Sequence, residues 1–361
     1  IIHNRLPYID LMESIAIFFV VAYHATNYDF NFMETGAVSD YFEYFFRTFF
    51  STCVPIFFFA NGYLLFNKPL NLKSHLQKII KLFVLILVWA FILLPVYLKI
   101  AGEPITLKSV IVPLLNLDTG YSINLFWYLG ALIGVYIIFP LLKTAFDNNK
   151  KAFYFFVAFG TVLTFGFEFA NEIVLLLSTF THSLESGLEL PFVTMFNPFR
   201  GWWGYSIVYF CFGGLIRENK DKILSFSTMK RNAFSIAGIV ISCACLFGMG
   251  VLHSRFIHGK AWDIVWNGYD TIFTLLNVFF IYILSLNYKK NSNFIKEISV
   301  NTLGIYFMHG LLLKLTQGIF NLNYLRNLPF NLLYSFAILC ICLIICIVIR
   351  KIPYLKKIIG Y

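Results

Sequence analysis

Charge is scarce in this 361-residue chain. Asp, Glu, Lys and Arg together make up 13% of it, about half the share of an ordinary soluble domain. Acidic residues are the scarcer sign, 18 against 28 Lys and Arg. With 59% hydrophobic residues and 43 Phe, a water-soluble fold could not cover its apolar surface with so few charges. That excludes a soluble enzyme and a disordered chain. The seven cysteines include no CxxC pair and all lie in apolar stretches. They read as small buried side chains, neither metal ligands nor the staples of a secreted domain. The ten-residue alternations of an outer-membrane barrel are also missing, because the apolar text comes in long blocks. What remains is an all-α, polytopic transmembrane helical bundle. In such a protein a net charge of +10 belongs to the loops on one side of the membrane, not to nucleic-acid binding.

A span takes about 20 mostly apolar residues. Ten stretches qualify: 10–30, 46–66, 79–98, 124–142, 152–170, 202–216, 234–252, 270–287, 298–317 and 330–350. The sixth is short, and 171–180 either prolongs the fifth or re-enters the membrane. With the N-terminus inside, 20 of the Lys and Arg fall on the inner side and 8 on the outer. That bias puts both termini in the cytoplasm. The first apolar run carries Glu13 and His24 and lacks a small-residue cleavage site, so it reads as a span and not as a signal peptide. Residues 1–361 thus read as one integral-membrane domain with no appended soluble domain. The longest outer loop is expected at 171–201, long enough to act as a lid or substrate collar.

Ionisable groups within spans are costly and mark functional sites. The first helix holds Asp10, Glu13 and His24. Glu13 and His24 are eleven residues apart, three turns plus about 20°, so they share a face at a separation of about 16 Å. The ninth helix adds His309, with Thr302 and Tyr306 before it on the same side. In the second helix Pro55 predicts a kink, and Asn61-Gly62 puts an amide and a close-packing position in mid-membrane. Arg47 lies at the outer end, where it either snorkels to headgroups or binds a ligand. Trp127 and Tyr128 open the fourth helix and Arg200 the sixth, as aromatic belt and interface residues or as substrate contacts.

These landmarks resemble the acyltransferase 3 family of integral-membrane acyltransferases. The matching stretches are Tyr8-Ile9-Asp10-Leu11 with Val20-Val21-Ala22-Tyr23-His24, Val54-Pro55-Ile56-Phe57-Phe58 with Gly62-Tyr63-Leu64-Leu65, Phe126-Trp127-Tyr128-Leu129, Tyr209-Phe210-Cys211-Phe212-Gly213-Gly214, and Leu303-Gly304-Ile305-Tyr306-Phe307-Met308-His309. The resemblance implies an O-acyltransferase of the cell (plasma or inner) membrane that moves an acyl group, acetyl first, from acyl-CoA to a hydroxyl of a cell-surface or exported glycan or glycolipid. His24 occupies the position of the family's catalytic histidine. The family often carries an arginine where this chain has Glu13, a serine where it has Asn61, and in some relatives an arginine where it has Ser51 and a histidine where it has Leu125.

A hydroxyl attacking a thioester must lose its proton, and a histidine with a pKa near 6.5 is suited to accept it. His24 is the expected general base, and His309 and Asn61 are candidate oxyanion donors. The basic loop Lys68, Lys73, Lys78 and Lys81, with Lys73, Lys78 and Lys81 foremost, is expected on the CoA phosphates or serves as ordinary cytoplasmic positive charge. Glu13, Arg47, Asn61, Trp127, Tyr128 and Arg200 are expected at the substrate. No permanently bound cofactor and no metal are expected: acetyl-CoA or another acyl-CoA is a substrate. The expected partners are that donor, a sugar hydroxyl acceptor and the lipid bilayer, with self-association left open. The rival reading is a transporter or flippase for a glycan or lipid-linked substrate, though the halves show no clear internal repeat. A catalytically silent partner in polysaccharide assembly is a third.

Overall fold

A computed structural model describes residues 5–25, 32–115, 126–181, 197–199, 204–317 and 327–360. It is all-helical, 83% helix, with no strand among the described residues. The helices that matter below are α1 (Pro7–Ala25), α2 (Val38–Phe50), α3 (Cys53–Leu65), α4 (Leu72–Ala101), α5 (Trp127–Asn148), α6 (Lys150–Thr161), α7 (Phe167–Thr181), α8 (Gly204–Glu218), α9 (Thr228–Leu252), α10 (Ile272–Ser285), α11 (Asn293–Val300), α12 (Thr302–Gln317) and α13 (Leu328–Lys351).

Many of the starts are legible as caps. The side chains of Asn71, Asn149, Ser227, Thr271 and Ser292 accept hydrogen bonds from backbone N–H groups three residues on, opening α4, α6, α9, α10 and α11. Gly102, at φ +74°, closes α4 in the left-handed conformation. Before Pro55 the helix is interrupted by two residues, while Val38–Leu65 still counts as one span. Proline cannot donate to the Ser51 carbonyl, and the chain turns at Ser51-Thr52 between α2 and α3.

Seven helical segments among the described residues are long and apolar enough to cross a membrane: Pro7–Ala25, Val38–Leu65, Leu72–Ala101, Trp127–Asn148, Lys150–Thr181, Thr228–Ile257 and Leu328–Lys351. An eighth is broken, with Asn293–Val300 and Thr302–Thr316 meeting at 76°. The two remaining expected spans are helices of only 15 and 14 residues, α8 and α10. Both are interior, where neighbouring helices and not the bilayer set the length. The chain is therefore a multi-pass membrane protein.

The interior and the periphery separate cleanly. The Val38–Leu65 span is 78% buried inside the protein, the Lys150–Thr181 span only 22%. Helix α1 is central and packs against α2, α3, α10, α11, α12 and α13. Helices α3 and α8 cross at glycines: a Cβ on Gly62 would fall on the Phe210 carbonyl oxygen, and one on Gly213 on the Phe59 carbonyl oxygen. Such backbone-to-backbone approach is how helices associate where lipid removes the hydrophobic incentive. On α4 and α13, Ile80, Phe83, Phe91, Leu333, Ile344 and Val348 are exposed, as a lipid-facing surface requires.

Two expectations need correction. The outer loop expected at 171–201 does not begin at 171: of the two alternatives for 171–180, prolongation of the fifth span holds, with a π-helical turn at Val162–Gly166 leading into α7, which runs to Thr181. There Glu172 is buried against His253, a partner that gives this helix a reason to continue. The cysteines are all free, but Cys245 is exposed and Cys340 half-buried, because α9 and α13 turn one face to lipid.

Candidate active site

Two helix faces build the site. On α1, Glu13 and His24 share a face three turns apart. On α12, Thr302, Tyr306 and His309 fall at i, i+4 and i+7, one stripe of that helix. Because α1 and α12 pack together, the stripes run side by side. Glu13, Thr302 and Tyr306 line a cavity of about 450 Å³. Beyond it the two histidines meet, with ring centroids 5.3 Å apart. The Tyr306 ring lies 6.0 Å from that of His309, bridging cavity and histidine pair.

The broken helix explains the polar floor of the cavity. The bend falls at Asn301, between Ser299 and Thr302, and both of these line the cavity. Irregular backbone at membrane depth is tolerated where it borders a cavity. The Ser299 Oγ donates to Glu13 Oε2 at 2.6 Å or to Asp10 Oδ1 at 2.9 Å, and accepts from Arg5 Nη2 at 2.8 Å. Arg5 also pairs with Asp10, Nη2 to Oδ1 at 2.5 Å.

His309 is fully buried and its Nδ1 lies 3.2 Å from the Ile305 carbonyl. A carbonyl only accepts, so Nδ1 carries the proton and Nε2 is left as an acceptor. Among the described residues nothing donates to that buried Nε2. In this tautomer His309 suits an acceptor role and not the oxyanion donation expected from sequence. His24 is half-buried, beside Tyr23 at 5.0 Å between centroids, and makes no hydrogen bond among the described residues. A donor for developing charge is nonetheless present. Tyr306 lines the cavity, and its hydroxyl is buried with no partner among the described residues. Sequence reasoning placed Tyr306 on the His309 face but gave it no role. An aromatic residue in apolar text is indistinguishable from core packing until its hydroxyl is seen without a partner.

The other expected site residues divide. Asn61 lines the cavity, accepts from the Tyr136 hydroxyl at 2.6 Å and donates to the Phe57 carbonyl at 2.9 Å. Its amide thus retains one N–H. Tyr128 lines the cavity too, with its ring 5.7 Å from Tyr306. Trp127 turns elsewhere, onto Trp266 at 5.3 Å and Tyr269 at 5.9 Å. Arg47 is not at a headgroup. It is buried, 8% exposed, with its guanidinium 5.9 Å from the Tyr23 ring and 3.8 Å from Asp263. Asp263 accepts from the Tyr23 hydroxyl at 2.6 Å, a partner invisible in a loop acidic residue 240 positions away. Arg200 lies outside the described residues.

The three lysines also part company. Lys78 lines the cavity, with its ammonium 4.4 Å from the Tyr136 ring centroid. Lys81 donates to the Gly360 carbonyl at 2.6 Å. Lys73 is exposed, lies about 140° around α4 from Lys78, and is not among the residues that line the cavity.

Residues from α1, α3, α5 and α12, held within apolar helices, thus converge on a polar cavity and a histidine pair, which is the make-up of a membrane-embedded enzyme. An acyltransferase domain model matches residues 6–350, and the chain belongs to the acyltransferase 3 family. No curated protein and no solved structure matches it.

Proposed function

We propose that the protein is an O-acyltransferase that moves an acyl group, acetyl first, from acyl-CoA to a hydroxyl of a cell-surface or exported glycan, with His24 as general base. One observation carries the reading: His24 and His309, from helices 285 positions apart in sequence, meet at 5.3 Å just past a cavity whose wall bears Arg5 and Lys78. The donor enters at the Arg5 end and the acceptor at the His24 end. The acceptor oxygen attacks the thioester carbonyl as His24 takes its proton, forming the C–O bond. The Tyr306 hydroxyl donates to the oxyanion, with the spare Asn61 N–H as the second donor. Collapse of the tetrahedral intermediate breaks the C–S bond, and the imidazolium returns the proton to the departing thiolate. His309, whose buried Nε2 is free to accept among the described residues, positions the hydroxyl.

The orientation that goes with this reading puts both termini, and the Arg5 end, in the cytoplasm of a plasma or inner membrane, where acyl-CoA resides. Support comes from the 20-to-8 division of Lys and Arg. Incubating the purified protein with acetyl-CoA and glycan acceptors tests it: free thiol should appear only with protein and acceptor together, and mass spectrometry should find one acetyl ester per thiol released. Transmembrane movement of a glycan lipid with no CoA turnover would replace this reading with the transporter.

A further inference from the structure

Beside the cavity that leads to the histidines lies a second one, about 520 Å³, that shares Arg5 and Glu13 with it. Its wall also carries Asn67, Lys68 and Arg217. Arg217 ends α8, and its Nη1 donates to the hydroxyls of Tyr8 and Tyr63, each at 3.1 Å. Those hydroxyls are 2.8 Å apart, and Tyr282 donates to Tyr63 at 3.2 Å. The guanidinium carbon lies over the Tyr63 ring, 4.9 Å from its centroid.

That network fixes Arg217 without neutralising it. Among the described residues Arg217 has no carboxylate partner, and Nε and Nη2 make no hydrogen bond. The acidic groups of this cavity are engaged elsewhere, Asp10 with Arg5 and Glu13 with Ser299. Lys68, on the same wall, is exposed and joins no ion pair among the described residues. Lys220 adds a third cation nearby, its ammonium 4.9 Å from the Tyr8 ring. A guanidinium held rigid on one edge and open on the other presents a fork matched to phosphate, and a lysine beside it adds a point charge. The tyrosines contribute no negative charge, so the set is left wanting an anion.

We propose that Arg217 and Lys68 form a phosphate site that seats the nucleotide end of the acyl-CoA donor, while the neighbouring cavity takes the acyl-bearing arm past Glu13 toward Tyr306. This rests on the donor assigned above. Of the basic loop expected at the phosphates it keeps Lys68, and it adds Arg217 at the end of α8.

Binding of coenzyme A to the purified protein in lipid nanodiscs tests the site, with wild type, Arg217→Gln, Arg217→Lys and Lys68→Gln compared. Expected is a loss of affinity of about tenfold or more in Arg217→Gln, partial recovery in Arg217→Lys, and a several-fold loss in Lys68→Gln that steepens at low salt. Pantetheine, which lacks the phosphates, should bind all four proteins alike. Wild-type affinity for coenzyme A in folded Arg217→Gln and Lys68→Gln overturns the site while leaving the donor in place. Loss of a co-purifying anionic phospholipid from those variants, with coenzyme A binding intact, assigns the site to a lipid headgroup instead. Failure of the wild type to bind coenzyme A at all removes the donor reading and this inference with it. Lys68→Gln lies outside the tyrosine network, so it decides the matter if Arg217→Gln does not fold.

Discussion

The two ends of α1 handle charge in opposite ways. Around Arg5 the cations are many and lightly held: Lys78 and Lys220 rest on tyrosine rings, Arg217 on tyrosine hydroxyls, and Lys68 on nothing that neutralises it. Near His24, Arg47 is a buried cation matched by Asp263 and Tyr23, and the group facing His24 across the helix contact is the imidazole of His309. Under the function proposed above, one end attracts an anion and the other moves a proton. Charge left open costs little at a membrane surface and binds a polyanion there. A general base must hold its nitrogen unprotonated and within hydrogen-bond reach of the proton it takes. The lesson is that the cavity between the ends joins two sites of different chemistry.

The joint itself is the most fragile part. Gly62→Leu should leave no folded protein, because the side chain would enter the Phe210 backbone and no rotamer change can move it; yield of monodisperse protein after membrane extraction checks this. At the His24 end, His24→Ala should insert normally and lose about 10²–10⁴-fold in kcat, with the donor KM little changed. A folded His24→Ala protein that keeps full transfer would break the division of labour described here. The wild-type rate should also rise with pH and then level off. Only the neutral imidazole accepts a proton, so activity is lost as pH falls through the His24 pKa, and that limb should vanish from whatever residual rate His24→Ala retains.

A smaller effect is expected next door. Tyr306→Phe removes only the unpartnered hydroxyl, and kcat should fall about 10²-fold, the lower end of what one oxyanion donor supplies. Substrate binding should survive it, which steady-state kinetics with both substrates will show. Smallest of all, Lys78→Ala should raise the donor KM several-fold and the acceptor KM hardly at all. Lys73→Ala should do less on both counts, since it faces away from the cavity. Equal effects of the two lysines would mean that the Arg5 end attracts CoA by diffuse charge and not through placed groups.

Much of the architecture was legible in the residues. Scarcity of charge and long apolar blocks specify a membrane bundle, because lipid admits only closed helical hydrogen bonding and few charges. Ten blocks were visible, yet among the described residues only seven helical segments reach spanning length, with an eighth broken. The difference lies in α8, α10 and the α11–α12 pair. An apolar block buried against other helices is free to be short or bent, and hydropathy does not distinguish protein from lipid as its neighbour.

The site divides along the same line. Spacing on α1 alone aligned Glu13 with His24, and spacing on α12 aligned Thr302 and Tyr306 with His309, because helical period is a local property. Family likeness pointed to His24. What no local rule could supply was the meeting of the two stripes, the pairing of Arg47 with Asp263 across the fold, or the separation of Trp127 from its neighbour Tyr128. Nor could it tell Lys78 from Lys73, or show that Arg217 ends a helix with half its guanidinium open. Those are contacts between residues tens to hundreds of positions apart. They are set by which helix packs on which, and in this protein the glycine-mediated crossing of α3 and α8 and the central place of α1 decide that packing.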